Sequence, residues 1–156
     1  MNIAGPDVPP CTLHEIRPGN ALPPWLDLEQ LAVFFHETMK PYEDTVADVR
    51  RGLQYALSAP PHPGGFILVA EAEGRLLGAL VMLSTGMGGY VPENLLLFVS
   101  VQPEMRNRGL GAKLVQGAVE RCQGSVKLHV EYDNAARHLY ERLGFVTRYA
   151  EMRLAR

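Results

Sequence analysis

The stretch VSVQPEMRNRGLGAKLVQ, residues 99–116, decides how this chain is read. An apolar, strand-like run meets Pro103. Arg106 and Arg108 follow, then Gly109 and Gly111 two apart, then a run with helical spacing. A basic, glycine-rich corner between a strand and a helix suits a phosphate. The first turn of a helix has unpaired backbone N–H groups and the positive end of the helix dipole. Glycine lets a ligand approach the backbone, and arginine adds charge.

The elements on either side set the fold class. TLHEIRPG (12–19) reads as a short strand. LDLEQLAVFFHETM (26–39) places Leu28, Leu31, Ala32 and Phe35 at helical spacing, and YEDTVADVRRGLQYAL (42–57) repeats the pattern with Val46, Val49, Leu53 and Leu57. APPHPGG (59–65) is a break. FILVAEAEGRLLGALVMLS (66–84) then reads as a hairpin turning at EGR, TGMGGYVPEN (85–94) as a loop and LLLFVSV (95–101) as a buried strand. From Gly109 to Cys122 a helix puts Leu110, Leu114, Val115, Ala118 and Val119 on one face. VKLHVE (126–131) is a strand, NAARHLYERLG (134–144) a helix capped at Gly144, and FVTRYAEMRL (145–154) a closing strand. The order β-α-α-β-β-β-α-β-α-β predicts a mixed α/β (α+β) domain: a mostly antiparallel, twisted sheet flanked by helices. Residues 1–11 are expected to form a loose tail, and residues 12–156 one domain.

Composition narrows the function classes. The chain has 156 residues, 47% of them apolar, enough for one domain with its own core. A net charge of -2 argues against a dedicated nucleic-acid binder. Cys11 and Cys122 have no metal-ligand spacing and read as reduced thiols. The N-terminus lacks the pattern of a signal peptide, and no apolar run approaches the length of a membrane span. The expectation is a soluble, cytoplasmic protein without nucleic-acid or membrane partners.

Three phosphate-binding designs can be tested on the corner. A P-loop needs Gly-Lys-Ser/Thr, but Lys113 is followed by Leu114, which has no hydroxyl for magnesium. A dinucleotide fingerprint needs a third glycine where Leu114 stands, and Gln102 to Arg108 is too long a link for its tight first turn. The third design, Arg/Gln-x-x-Gly-x-Gly/Ala, fits Arg106 to Gly111. Here, with Val101, Pro103 and Glu104 ahead of it, the chain resembles the GNAT superfamily of N-acetyltransferases. LYERLGF, Leu139 to Phe145, matches that family's second signature. The gap between the two suits one helix and one strand, and the element order is the family's. Either motif alone marks only a turn or a capped helix.

The resemblance implies an acyltransferase (N-acetyltransferase) that uses acetyl-CoA and no metal. Backbone N–H groups of Arg106, Asn107, Arg108, Gly109, Leu110, Gly111 and Ala112 would bind the pyrophosphate. Val99 and Val101 would pair their backbone with the pantetheine arm, and a strand N–H would serve as oxyanion donor. Tyr140 matches the general acid that protonates the departing thiolate. The family usually has Asn seven residues before this tyrosine. Here that position is Asp133, followed by Asn134, so either one is the expected coenzyme A contact at this end. Glu93 is the candidate base, with Glu71 and Glu131 as alternatives, and His129 reads as structural. Phe35, Glu37 and Tyr42, near the junction of the first two helices, are the candidate acceptor-binding residues. They suit a primary amine of a small molecule or peptide. The short segment after Gly144 leaves open one long strand or a strand completed across a homodimer. The competing classes are a non-catalytic acyl-CoA sensor on the same fold and, more distantly, a dinucleotide-binding enzyme.

Overall fold

The computed structural model describes residues 7–156, so the first six residues of the expected tail lie outside it. The rest of that tail is not loose at its end: Val8 and Cys11 pack against the core, and Lys113 donates to the Cys11 sulfur at 3.5 Å. The elements are β1 (Thr12–Ile16), α1 (Leu28–Thr38), α2 (Val46–Ala56), β2 (Gly65–Ala72), β3 (Arg75–Ser84), β4 (Asn94–Val101), a 3-10 turn (Pro103–Met105), α3 (Leu110–Glu120), β5 (Val126–Leu128) and α4 (Ala136–Arg142).

The sheet runs β1-β2-β3-β4-β5. The first four strands pair antiparallel, and β5 joins β4 in parallel over three residues, Asn94↔Val126 to Leu96↔Leu128. It divides two cores. Ile67, Val69, Ala79, Val81 and Phe98 face α1 and α2, whereas Phe66, Leu68, Leu80, Met82 and Leu96 face α3. Side chains along a strand alternate faces, so Leu96 and Phe98 should share one. They do not, because the β3–β4 register slips between Val81 and Met82: Phe98 opposes Val81 while Leu96 opposes Met82. The extra residue is Leu97, a β-bulge. Pairing of β4 with β5 stops at the residue before the bulge. β5 ends there, so from Leu97 to Val101 that side of β4 has no described strand partner.

The closing strand expected over 145–154 does not form. The segment pairs with no described strand, and Tyr149, Met152 and Leu154 are 85–90% exposed. Strand-forming composition yields a strand only where an edge accepts its hydrogen bonds and a neighbour packs its side chains. Among the described residues the sheet therefore has five strands rather than six. β5 is also shorter than VKLHVE predicts, ending at Leu128.

Candidate active site

The glycine-rich corner follows β4 directly and leads into α3. Pro103 cannot donate to a ladder, so β4 stops and the 3-10 turn begins. Asn107 and Gly109 then adopt left-handed backbone, φ 60° and 88°. Such alternation turns successive N–H groups toward one concavity, an anion-binding nest. From Asn107 through Ala112 no backbone N–H makes a hydrogen bond of ordinary geometry to another described residue; the first helical bond of α3 is Lys113 N–H to the Gly109 carbonyl at 3.0 Å. This is a cradle of unpaired donors at a helix N-terminus, the chemistry a pyrophosphate needs. An alanine at Gly109 would strain the left-handed backbone by about 1–2 kcal/mol and turn these donors aside. Gly109→Ala is therefore expected to weaken acetyl-CoA binding about tenfold in calorimetry, while Gly74→Ala, also at positive φ but in the β2–β3 turn, leaves it unchanged.

The two arginines are not equivalent. Arg108 is exposed, and its guanidinium lies 3.6 Å from the Met105 sulfur. Arg106 instead donates to the Thr38 carbonyl at the end of α1, at 2.8 Å.

LYERLGF does two jobs at once. Gly144, at φ 98°, ends α4 in a Schellman motif: Phe145 N–H bonds the Tyr140 carbonyl (2.9 Å) and Gly144 N–H the Glu141 carbonyl (3.0 Å). The same motif brings Phe145 edge-on to the Tyr140 ring, centroids 5.9 Å apart. The cap thus orients the tyrosine. No described residue hydrogen-bonds its hydroxyl. Burial first, then the charge of Glu131, push its pKa up to about 12, so it stays a proton donor at neutral pH.

The remaining candidates separate. Asn134 takes the start of α4: its side-chain oxygen accepts from Ala136 N–H (2.9 Å) and its amide donates to Glu131 (3.0 Å). Asp133 meets Tyr42, whose hydroxyl donates to the Asp133 carbonyl at 3.4 Å. Burial, followed by Asp133 and Glu131, raises the Tyr42 pKa. The charge of Glu131 therefore raises both tyrosines. Glu93 lies at the far end of β4, where its carboxylate accepts from Ser125 N–H at 2.7 Å. That bond, then its own N–H, lowers its pKa. Gly124 leaves the room, since a Cβ there would sit 2.5 Å from the carboxylate. Glu71 is tied to Gly74 N–H and His14.

Of the acceptor candidates, Phe35 stands apart. It is fully buried, packed against Phe34 and Phe98 at 5.4 and 5.5 Å between centroids, and touches no open space. Its place in the helical stripe decided this, not its aromatic character. Glu37 lines an open cleft of about 580 Å³ along α1, together with Trp25, Phe34, Thr38 and Gln102. Among the described residues, no group of three or more His, Cys, Asp and Glu side chains is placed to hold a metal ion.

Comparison with known proteins carries the family. The model of the acetyltransferase (GNAT) family matches residues 25–145. The chain belongs to the GNAT family of acetyltransferases. As a GNAT protein it is 29% identical over 141 residues to a mycothiol acetyltransferase of Paenarthrobacter aurescens (strain TC1), covering 86% of this chain and 42% of that one. Another mycothiol acetyltransferase, from Arthrobacter sp. (strain FB24), is 35% identical over 89 residues, 53% of this chain and 28% of the relative. The chain thus spans less than half the length of these relatives. Among solved structures, an aminoglycoside acetyltransferase from an uncultured soil metagenomic sample shares the fold at TM-score 0.65 and 17% identity, covering 94% of this chain and 98% of that one. A ribosomal-protein-alanine N-acetyltransferase from Brucella melitensis biovar Abortus 2308 does so at 0.63 and 14%, covering 94% and 99%. Within the GNAT fold these neighbours are named for different acceptors, one a small molecule and one a protein. The expected mixed α/β architecture stands with its mostly antiparallel sheet. No helix among the described residues is long and apolar enough to cross a membrane.

Proposed function

We propose that this chain is an acetyl-CoA-dependent N-acetyltransferase that moves an acetyl group directly to a primary amine in a ternary complex. The observation that carries this is the run of unpaired N–H groups from Asn107 to Ala112, next to the end of β4 that β5 leaves unpaired, in a chain whose Tyr140 keeps an unpaired hydroxyl of raised pKa. Acetyl-CoA supplies the acetyl thioester when bound. The N–H groups from Asn107 to Ala112 hold its pyrophosphate. The backbone of Val99 and Val101, on the part of β4 beyond the end of β5, pairs with the pantetheine amides and offers an oxyanion donor. Asp133 borders that arm, and Asn134 keeps the start of α4 in place. Tyr140 gives its proton to the leaving sulfur.

Glu131, rather than Glu93, accepts the proton of the incoming ammonium. Glu93 has its carboxylate in a backbone bond that lowers its basicity, and it closes the β4–β5 start instead. The acceptor enters beside Glu37 and Tyr42, and its amine belongs to a small molecule or a peptide. The names of the matched relatives favour a small molecule. The reading places the enzyme in the cytoplasm, without a metal and as a candidate homodimer.

The test is the melting temperature with acetyl-CoA and, separately, with NAD. At a ligand concentration about 100 times its Kd, binding to the native state adds about 2.7 kcal/mol. For a chain of this size that raises the midpoint by roughly 5–10 °C. A rise with acetyl-CoA alone supports the proposal. No rise at millimolar acetyl-CoA sinks it, and a rise with NAD alone selects the dinucleotide reading.

A further inference from the structure

The contact between Arg106 and Thr38 has a cause in the sequence. The last carbonyls of a helix need partners from outside it. At the end of α1, Phe35 O receives Met39 N–H, and Thr38 Oγ1 returns its hydroxyl to Phe34 O. Thr38 O would ordinarily close a turn with the N–H three residues on, but that residue is Pro41, which has none. The next N–H, Tyr42, goes to Met39 O instead. Thr38 as a whole is only 8% exposed, so little water reaches this end of the helix. The guanidinium of Arg106, 68 residues away, fills the gap at 2.8 Å. A cation at a helix C-terminus is also favoured by the dipole.

One residue after Pro41, the junction between α1 and α2 is fastened again, by Tyr42 on Asp133. The junction therefore hangs from two segments, one before α3 and one before α4. Both are segments to which the proposed function assigns coenzyme A. The junction also borders the proposed acceptor side: Glu37 precedes it, and Tyr42 belongs to it.

We infer that the Arg106 side chain is a positioning residue rather than a phosphate ligand. It straps the end of α1 to the pyrophosphate loop, so that filling the loop steadies the acceptor-side junction. This coupling rests on the proposed function, whereas the strap itself does not. It makes the first basic residue of the motif serve the acceptor, while the phosphate is held by the backbone that follows.

The test is hydrogen exchange at residues 39–45, with and without coenzyme A, in the wild type, Arg106→Met and Arg106→Lys. Arg106 is exposed, so the variants are expected to fold. Leaving the Thr38 carbonyl unpaired should speed exchange at 39–45 about tenfold in Arg106→Met without ligand. Arg106→Lys, which still donates, should recover part of that protection. Coenzyme A should slow exchange at 39–45 in the wild type but not in Arg106→Met, whose affinity for coenzyme A in calorimetry should fall by less than about threefold. Equal exchange in wild type and Arg106→Met overturns the strap. A loss of coenzyme A affinity above about tenfold, with 39–45 unchanged, makes Arg106 a phosphate ligand instead. If wild type binds no coenzyme A, the proposed function and the coupling both fail, and the ligand-free exchange still decides the strap.

Discussion

Tyr140→Phe is expected to lower kcat by about a hundredfold or more, the usual size of a lost general acid, while the Kd for acetyl-CoA stays within about threefold. Thiol release measures the first and calorimetry the second. The split is informative because the ring is set by the α4 cap and by Phe145, neither of which needs the hydroxyl. Phenylalanine therefore keeps the local packing and removes one oxygen. Equal turnover in the variant would take the acid role from Tyr140. A sensor on the same fold would have no turnover to lose.

The same substitution has a pH signature. The folded pKa of Tyr140, about 12, lies above the ordinary tyrosine value near 10. Between those values the native state keeps a proton that the unfolded chain releases, so stability falls as pH rises. The contribution is present in full below pH of about 10 and is lost through about 12, a change of about 2–3 kcal/mol. Tyr140→Phe should flatten that part of the alkaline stability curve. An unchanged slope would mean that the hydroxyl is better solvated than its surroundings imply. Catalysis should show no alkaline loss from Tyr140 itself below that window.

Phe35→Ala is expected to cost about 3–5 kcal/mol of stability, as large core truncations do. The midpoint should drop by roughly 10 °C. Phe35 is fully buried between Phe34 and Phe98, and the helix cannot close the space that its ring leaves. Thermal unfolding checks the loss, and acetyl-CoA affinity of the folded fraction should be retained. A small stability change joined to a raised KM for the amine would return Phe35 to the acceptor pocket.

Much of the local structure of the candidate site was legible because its signals are local. Pro103 ends a strand through its own missing N–H, and Gly109 takes a left-handed backbone through its own missing side chain. LYERLGF encodes a cap, and the cap decides where Tyr140 stands. The burial of Phe35 was not legible, because a phenylalanine in a helical stripe carries the same local signal whether it faces a core or a pocket. Glu131 was only an alternative in the sequence, since nothing local says that its charge, in the loop after β5, raises the pKa of a tyrosine in the next helix.

The sequence by itself determined the element types up to α4, the glycine cradle, the cap and the family, because each depends on residues within a few positions of one another. Tertiary structure alone decided the bulge at Leu97, the early end of the β4–β5 pairing, the failure of residues 145–156 to join the sheet, and the pairing of Arg106 with Thr38. Each of these depends on whether a partner from a distant part of the chain meets a backbone donor or acceptor. No spacing along the chain records that meeting.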